Sequence, residues 1–251
     1  QVNLNGGTFV AWNWKAGGTA VSNTNGSITS SVSANPSAGF SIVSYTGTGA
    51  NATVGHGLTL AAPEMMIIKS RSDGAVDWGV YHTALGPTKW IRLNLTSASA
   101  TASNVWNNTA PTSSVFSLGS GGHLNGSNDT EIAYCFHSVE GYSKVGSYKG
   151  TTVNAGSFVH TGFKVAFVLI KTMFDGDPWV MMDAARDPYN VATKRLRSDS
   201  SAAETTDAQL TCDFLSNGFK PYGNSYHING NGQTYLYMAF AESPFKHTNA
   251  R

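Results

Sequence analysis

Gly39-Phe40-Ser41-Ile42-Val43-Ser44-Tyr45-Thr46-Gly47-Thr48 and Gly141-Tyr142-Ser143-Lys144-Val145-Gly146-Ser147-Tyr148-Lys149-Gly150-Thr151 share a pattern of aromatic, Val, Tyr and Gly, with one residue inserted in the second. Self-similarity at a fixed offset, here about one hundred residues, marks a chain built from repeats. The likeness persists downstream. Met65-Met66-Ile67-Ile68-Lys69 answers Phe167-Val168-Leu169-Ile170-Lys171, and Trp78-Gly79-Val80-Tyr81 answers Trp179-Val180-Met181-Met182. Arg92-Leu93 is set against Arg195-Leu196, and Val115-Phe116-Ser117-Leu118 loosely against Phe214-Leu215-Ser216-Asn217. The units close on Thr130-Glu131-Ile132-Ala133-Tyr134-Cys135-Phe136 and Thr234-Tyr235-Leu236-Tyr237-Met238-Ala239-Phe240. That closing pattern occurs a third time as Thr8-Phe9-Val10-Ala11-Trp12-Asn13-Trp14-Lys15, which reads as the last strand of an earlier unit and places the start of this chain inside a longer polypeptide.

Each unit reads as short strands rich in β-branched and aromatic residues, bounded by Gly, Pro, Asn and Asp. Met65 to Ile68 and Val165 to Ile170 are continuous apolar runs, which suit central strands covered on both faces. The fold class is all-β, a tandem or pseudo-symmetric β-sandwich of jelly-roll type made of two repeats. The divisions fall at 1–38 (a last strand plus a Gly/Ser/Thr-rich hairpin or linker), 39–140 (repeat one) and 141–251 (repeat two). Within 17–37 a hairpin turning at Gly26 fits slightly better than a linker. Ser200 to Leu210, with Ala202-Ala203-Glu204, is the one window that supports a short helix. Asn125-Gly126-Ser127-Asn128-Asp129 and Asn229-Gly230-Asn231-Gly232 read as tight hairpin turns before each closing strand.

Charge is scarce: Asp, Glu, Lys and Arg make up 12% of 251 residues, and the formal net charge is +1. No basic footprint exists for nucleic acid or an anionic membrane surface, and no apolar run is long enough to span a bilayer. Cys135 and Cys212 fit no zinc or redox spacing and read as buried thiols, with a single disulfide between them left open. No cofactor or metal site is expected. The seven histidines show no pairing at metal-ligand spacing, and the Asn/Gly turns lack the carboxylates calcium requires.

Ala11-Trp12-Asn13-Trp14-Lys15-Ala16-Gly17-Gly18, Gly39 to Gly47, Val54-Gly55-His56-Gly57-Leu58, Asp183-Ala184-Ala185-Arg186-Asp187-Pro188-Tyr189-Asn190 and Ala239-Phe240-Ala241-Glu242-Ser243-Pro244-Phe245-Lys246 resemble repeated C-terminal domains of tail and structural proteins of marine bacteriophages. The resemblance covers nearly the whole chain. It implies a virion or extracellular location, with a host-surface glycan or envelope receptor and other virion subunits as partners. It also implies possible trimeric assembly, and it supplies no catalytic motif.

Two function classes follow from the residues. Glycan cleavage requires a pair of carboxylates, and the richest acidic region runs from Asp175-Gly176-Asp177-Pro178 to Asp183 and Asp187. Asp183 and Asp187 are the candidate acid and base of a depolymerase, against a plainer reading in which Asp183 caps a turn and pairs with Arg186. Glycan recognition requires aromatic faces among neutral polar groups. Trp78 and Trp179 recur at one repeat position and read as core. The aromatics without a counterpart, Trp106, Tyr222 and Tyr226, together with Tyr189, are the candidate ligand-binding residues. Recognition without catalysis is the leading expectation, strengthened by multivalent display, and a pure structural spacer is a third reading.

Overall fold

The computed structural model describes residues 4–152, 156–174 and 176–243. Among them the chain is almost all β, with short strands and one-turn helices. The first unit contains β1 (Val21–Asn23), β2 (Ser30–Asn35), β3 (Phe40–Thr46), β4 (Ala52–Gly55), β5 (Met65–Ser70), β6 (Gly79–His82), β7 (Lys89–Arg92), β8 (Ala100–Thr101), α1 (Ser103–Trp106), β9 (Val115–Leu118), α2 (Gly122–Asn125) and β10 (Thr130–Phe136). The second contains β11 (Ser143–Lys149), β12 (Val159–His160), β13 (Val165–Thr172), β14 (Val180–Asp183), β15 (Lys194–Arg195), β16 (Thr205–Thr206), β17 (Thr211–Leu215), β18 (Gly218–Tyr222), α3 (Tyr226–Asn229) and β19 (Thr234–Ala241).

Both units place their closing strand at the centre of an antiparallel sheet. The order is β1-β2-β3-β10-β5-β6-β7-β8 in the first and β11-β19-β13-β14 in the second. Alternation along each central strand sends side chains to two different cores. Ala133 and Cys135 of β10 face a core internal to the first unit, and Tyr235, Tyr237 and Ala239 of β19 face one internal to the second. Phe136 on one sheet, and Leu236, Met238 and Phe240 on the other, enter a third core shared by both units. The unbroken apolar runs are therefore buried on both faces: Met65 and Met66 serve different cores, as do Phe167 and Val168. Polar contacts also cross the seam. The Trp179 indole N–H donates to the Arg92 carbonyl at 2.7 Å, and the Ser198 hydroxyl donates to the Leu93 carbonyl at 2.7 Å.

The cores internal to the units are closed by small outer sheets. In the first unit β4 pairs with β9, setting Val54 opposite Phe116; in the second β12 pairs with β18, setting Val159 opposite Phe219. Phe116 and Phe219 meet Tyr45 and Tyr148 edge-on at 6.0 and 5.8 Å. The counterpart of Val115–Leu118 is therefore the strand carrying Phe219, and the expected match to Phe214–Asn217 is wrong by one strand. A smaller slip affects Arg92. Ile91 pairs with Val80 and Leu196 with Met181, so Arg92 corresponds to Arg197 and not to Arg195.

Other expectations change too. The segment Thr8–Lys15 is extended but belongs to no strand. The hairpin does form, as β1 with β2, and β2 pairs with β3, so residues 21–35 belong to the first unit's sheet and are no separate segment. No helix forms over 200–210; the β-branched Thr205-Thr206 pair with Lys194-Arg195 instead. The Asn/Gly clusters are not hairpin turns: Asn125 and Asn229 end α2 and α3, and the following turns lead into central strands. Positive φ is used one step later, at Asn128 (66°) and Gly232 (68°). Cys135 and Cys212 are free and buried in separate cores, where desolvation raises both thiol pKa values and holds them protonated.

Candidate functional site

The second unit's outer sheet is the place where aromatic and polar side chains gather on an open face. Val159, Cys212, Phe214 and Phe219 point inward and are buried. Their neighbours along β12, β17 and β18 therefore point outward: His160, Asp213, Leu215, Lys220 and Tyr222. Asp213 lies opposite Lys220, and Thr211 opposite Tyr222. The Tyr222 hydroxyl donates to Asp213 Oδ2 at 2.6 Å, and the Lys220 ammonium sits 5.1 Å from the Tyr222 ring centre. That hydrogen bond, with desolvation second, pushes the Tyr222 phenol up to about 12, so the ring carries a fixed, neutral hydroxyl. Phe158 lies over Gly218, where a Cβ would come within 2.9 Å of its ring. Beyond β17, Ala192 bridges Cys212 and continues the layer, leaving Val191 exposed and Tyr189 82% exposed.

The first unit's outer sheet is flanked differently. The turn between β1 and β2 lies against β4: Ser27 N–H donates to Thr53 Oγ1 at 2.9 Å, and Asn23 rests where Gly55 would carry a Cβ. No hairpin precedes β11, whose strand leads directly from the first unit. The hairpin flanks one unit's outer sheet, where Ile28 bridges Val54, and has no counterpart beside the other's.

The four candidate binding aromatics separate in the structure. Tyr222 and Tyr189 belong to the open layer. Tyr226 is 59% exposed but begins α3, off the three-stranded face, and its carbonyl accepts from the Tyr235 hydroxyl. Trp106 is 1% exposed and packs edge-on against Tyr81 at 5.6 Å, so it cannot stack on a ligand. Lacking a counterpart, it looked free for binding. The first unit instead uses it to fill core volume from α1, in a stretch where the second unit builds β17. Trp179 is fully buried, whereas Trp78 is half-buried. Asp213, Lys220 and Phe158 were missed; the alternation Thr211, Asp213, Leu215 was their signal, hidden by the misplaced match to Val115–Leu118.

The acidic region is occupied by structural bonds. Asp183 Oδ1 accepts from Arg186 N–H at 2.9 Å and Oδ2 from the Arg186 guanidinium at 2.6 Å, so the capping and pairing described by the plainer reading are both present. Asp187 Oδ2 accepts from the backbone of Thr193 and Lys194 at 2.7 and 3.2 Å. Asp175 lies outside the described residues. Asp177 meets His227 Nε2 at 3.5 Å, and the other His227 nitrogen faces the Arg195 guanidinium at 3.1 Å. Burial holds His227 below its ordinary value despite Asp177, so the neutral ring accepts from Arg195 and donates toward Asp177. Arg195 is further tied to Asp207 at 3.0 Å. These groups bond one another; Asp183 borders a recess together with Glu242, and Asp187 does not line it. Among the described residues, no set of three His, Cys, Asp or Glu is placed to hold a metal ion.

The chain belongs to the family described as a domain of unknown function, DUF7483, whose model matches residues 1–244. Nothing matches among curated proteins or among solved structures.

Proposed function

We propose that this chain is a non-catalytic recognition module of a bacteriophage tail fibre or related appendage, and that its open outer layer binds a glycan of the host surface. The observation that carries the reading is the difference between the two outer sheets. The second unit leaves Phe158, Tyr189 and Tyr222 around a layer in which Asp213 and Lys220 stand opposite each other on adjacent strands. Flat aromatic faces beside hydroxyl, carboxylate and ammonium groups are suited to sugar rings, which offer an apolar face and a rim of hydroxyls. Low net charge keeps non-specific attraction small, so contact geometry must supply selectivity. Several copies on one appendage would raise weak single-site affinity by avidity.

The test is a screen of the protein against bacterial surface polysaccharides, followed by Tyr189→Ala and Phe158→Ala. Each stacked ring contributes about 0.5–1.5 kcal/mol, so each variant should weaken binding roughly 2–12-fold with the fold intact. Binding that survives both substitutions, or a blank screen with folded protein, would reject this face as the receptor site.

A further inference from the structure

The seam between the two main sheets continues beyond them, and the residues found there repeat those inside it. Thr8–Lys15 aligns with the closing strands as Trp14 to Phe136 to Phe240. In the structure these three rings meet pairwise: Trp14 and Phe136 at 6.0 Å, Trp14 and Phe240 at 5.4 Å, Phe136 and Phe240 at 6.2 Å. Trp12, the counterpart of Tyr134 and Met238, also turns into the shared core and packs on Phe167 at 5.2 Å. The first segment therefore sends to the seam the same residues that β10 and β19 send there.

Its backbone behaves differently. Trp12, Trp14 and Ala16 are half-buried while Ala11, Asn13 and Lys15 are exposed, the period-2 alternation of a strand. Yet among the described residues no ladder pairs Thr8–Trp14 on either side, whereas β10 and β19 are each paired on both edges. A central strand is present without its sheet. The apolar face around it is also incomplete. Ile42, Ile67, Leu93, Tyr134 and Met181 are only partly buried, and a wholly apolar recess of about 250 Å³ opens between Trp12, Trp14, Trp78 and Phe136.

We infer that Thr8–Lys15 is the central strand of a third unit of the same kind, joined ahead of the two described here in one polypeptide, and that this unit's sheet covers the open side of the seam. Three sheets would then surround one axis, with Trp14, Phe136 and Phe240 as its equivalent rings. The strand's two free edges would pair with the preceding unit's counterparts of β3 and β5, and its outward residues Phe9, Ala11 and Asn13 would enter that unit's internal core, as Glu131, Ala133 and Cys135 do in β10. This inference is independent of the glycan reading, since it concerns the opposite side of the main sheets from the outer layer.

The test compares the 251-residue chain with a protein that carries one further unit of this kind joined ahead of it. Hydrogen exchange at the amides of Phe9 to Trp14 should be fast in the shorter chain and at least ~100-fold slower in the longer one, as an unpaired segment becomes a sheet centre. Asn13→Pro removes one backbone donor. It should leave the melting temperature of the shorter chain unchanged and lower that of the longer one by several degrees. The inference is overturned if the upstream sequence lacks the repeat pattern, if those amides exchange equally in both proteins, or if Asn13→Pro affects both alike. It is overturned as well if the shorter chain protects the same amides by dimerising, because a second copy would then be the occupant.

Discussion

The two units keep the same bonds at their ends and diverge at their faces. Tyr45 and Tyr148 donate to the carbonyls of Leu124 and Ile228, each at 2.7 Å. Asn125 and Asn229 are buried and accept from the N–H of Thr48 and Thr151 at 2.8 and 3.0 Å, while their amides donate to Gly119 and Gly223. Elsewhere the copies part. Trp90 stacks near His123 at 5.0 Å, and its counterpart Arg195 bonds His227. Glu131 occupies the place of Tyr235, and His82 that of Asp183. What fixes the position of the closing strand is held in common. What fills or covers a face can change, because a pocket of given volume accepts different side chains provided that polar groups find partners.

The largest predicted effect lies at the seam. Trp179→Ala removes a fully buried indole and its hydrogen bond to Arg92, and should cost about 3–5 kcal/mol in chemical denaturation. Trp78→Ala, at the equivalent but half-buried position, should cost less than half of that. Equal losses would mean that the seam is symmetric and that the recess beside Trp78 is closed in solution. Next, Asn125→Ala and Asn229→Ala each leave buried backbone groups unpaired. Each should cost about 2–3 kcal/mol, alike in the two units. A large disparity would show that only one of these ends holds its unit together.

Glu131 and His82 turn the comparison into pH dependence. Glu131 is fully buried, and burial, with Asp129 next, raises it from 4.5 to about 7 against the pull of Lys69. Below pH 4.5 the carboxyl is neutral in both folded and unfolded chains. As pH rises toward 7 the unfolded chain ionises first, so stability falls across that window. His82 opposes this. Burial lowers it from 6.5 to about 4, so the unfolded chain takes up the proton first and stability falls as pH drops from 6.5 toward 4. The two slopes largely cancel between them. Glu131→Leu should therefore expose the histidine slope: stability at pH 8 rises by on the order of 2 kcal/mol, little changes at pH 4, and the curve climbs steadily with pH. An unchanged pH profile would mean that Glu131 is hydrated or paired in the folded protein.

The sheet centres were legible because unbroken apolar runs have one stable use in an all-β chain, burial on both faces. The hairpin of β1 and β2 was only faintly legible, because the alternation at Ile28, Ser30 and Val32 is weak as a pattern, although all three are buried. The outer layers were not. The stretch from Val80 to its partner Ile91 is shorter than that from Met181 to its partner Leu196, so the repeat offset drifts by a few residues, and a match made on residue type slid to the wrong strand. Trp106 failed for a related reason. Sequence shows that an aromatic lacks a counterpart, but not whether the missing volume is supplied from elsewhere. Thr8–Lys15 has the alternation of a strand, yet a strand is defined by its neighbours, and among the described residues none forms a ladder with it.

The smallest effect concerns Tyr222. Tyr222→Phe keeps the ring and deletes only the hydroxyl bonded to Asp213, on a partly exposed face where the stability loss should be about 1 kcal/mol. Its sharper signature lies at alkaline pH. A phenol raised from 10 to about 12 in the folded protein loses its proton first in the unfolded chain, so its contribution is complete below pH 10 and disappears as pH approaches 12. Ultraviolet titration of the folded protein should show one fewer late-ionising tyrosine in the variant. The first unit offers no equivalent, since β4 and β9 carry no tyrosine. If Tyr222→Phe leaves the titration unchanged, the Tyr222 to Asp213 bond does not persist in solution, and the open layer must orient a ligand by its rings alone.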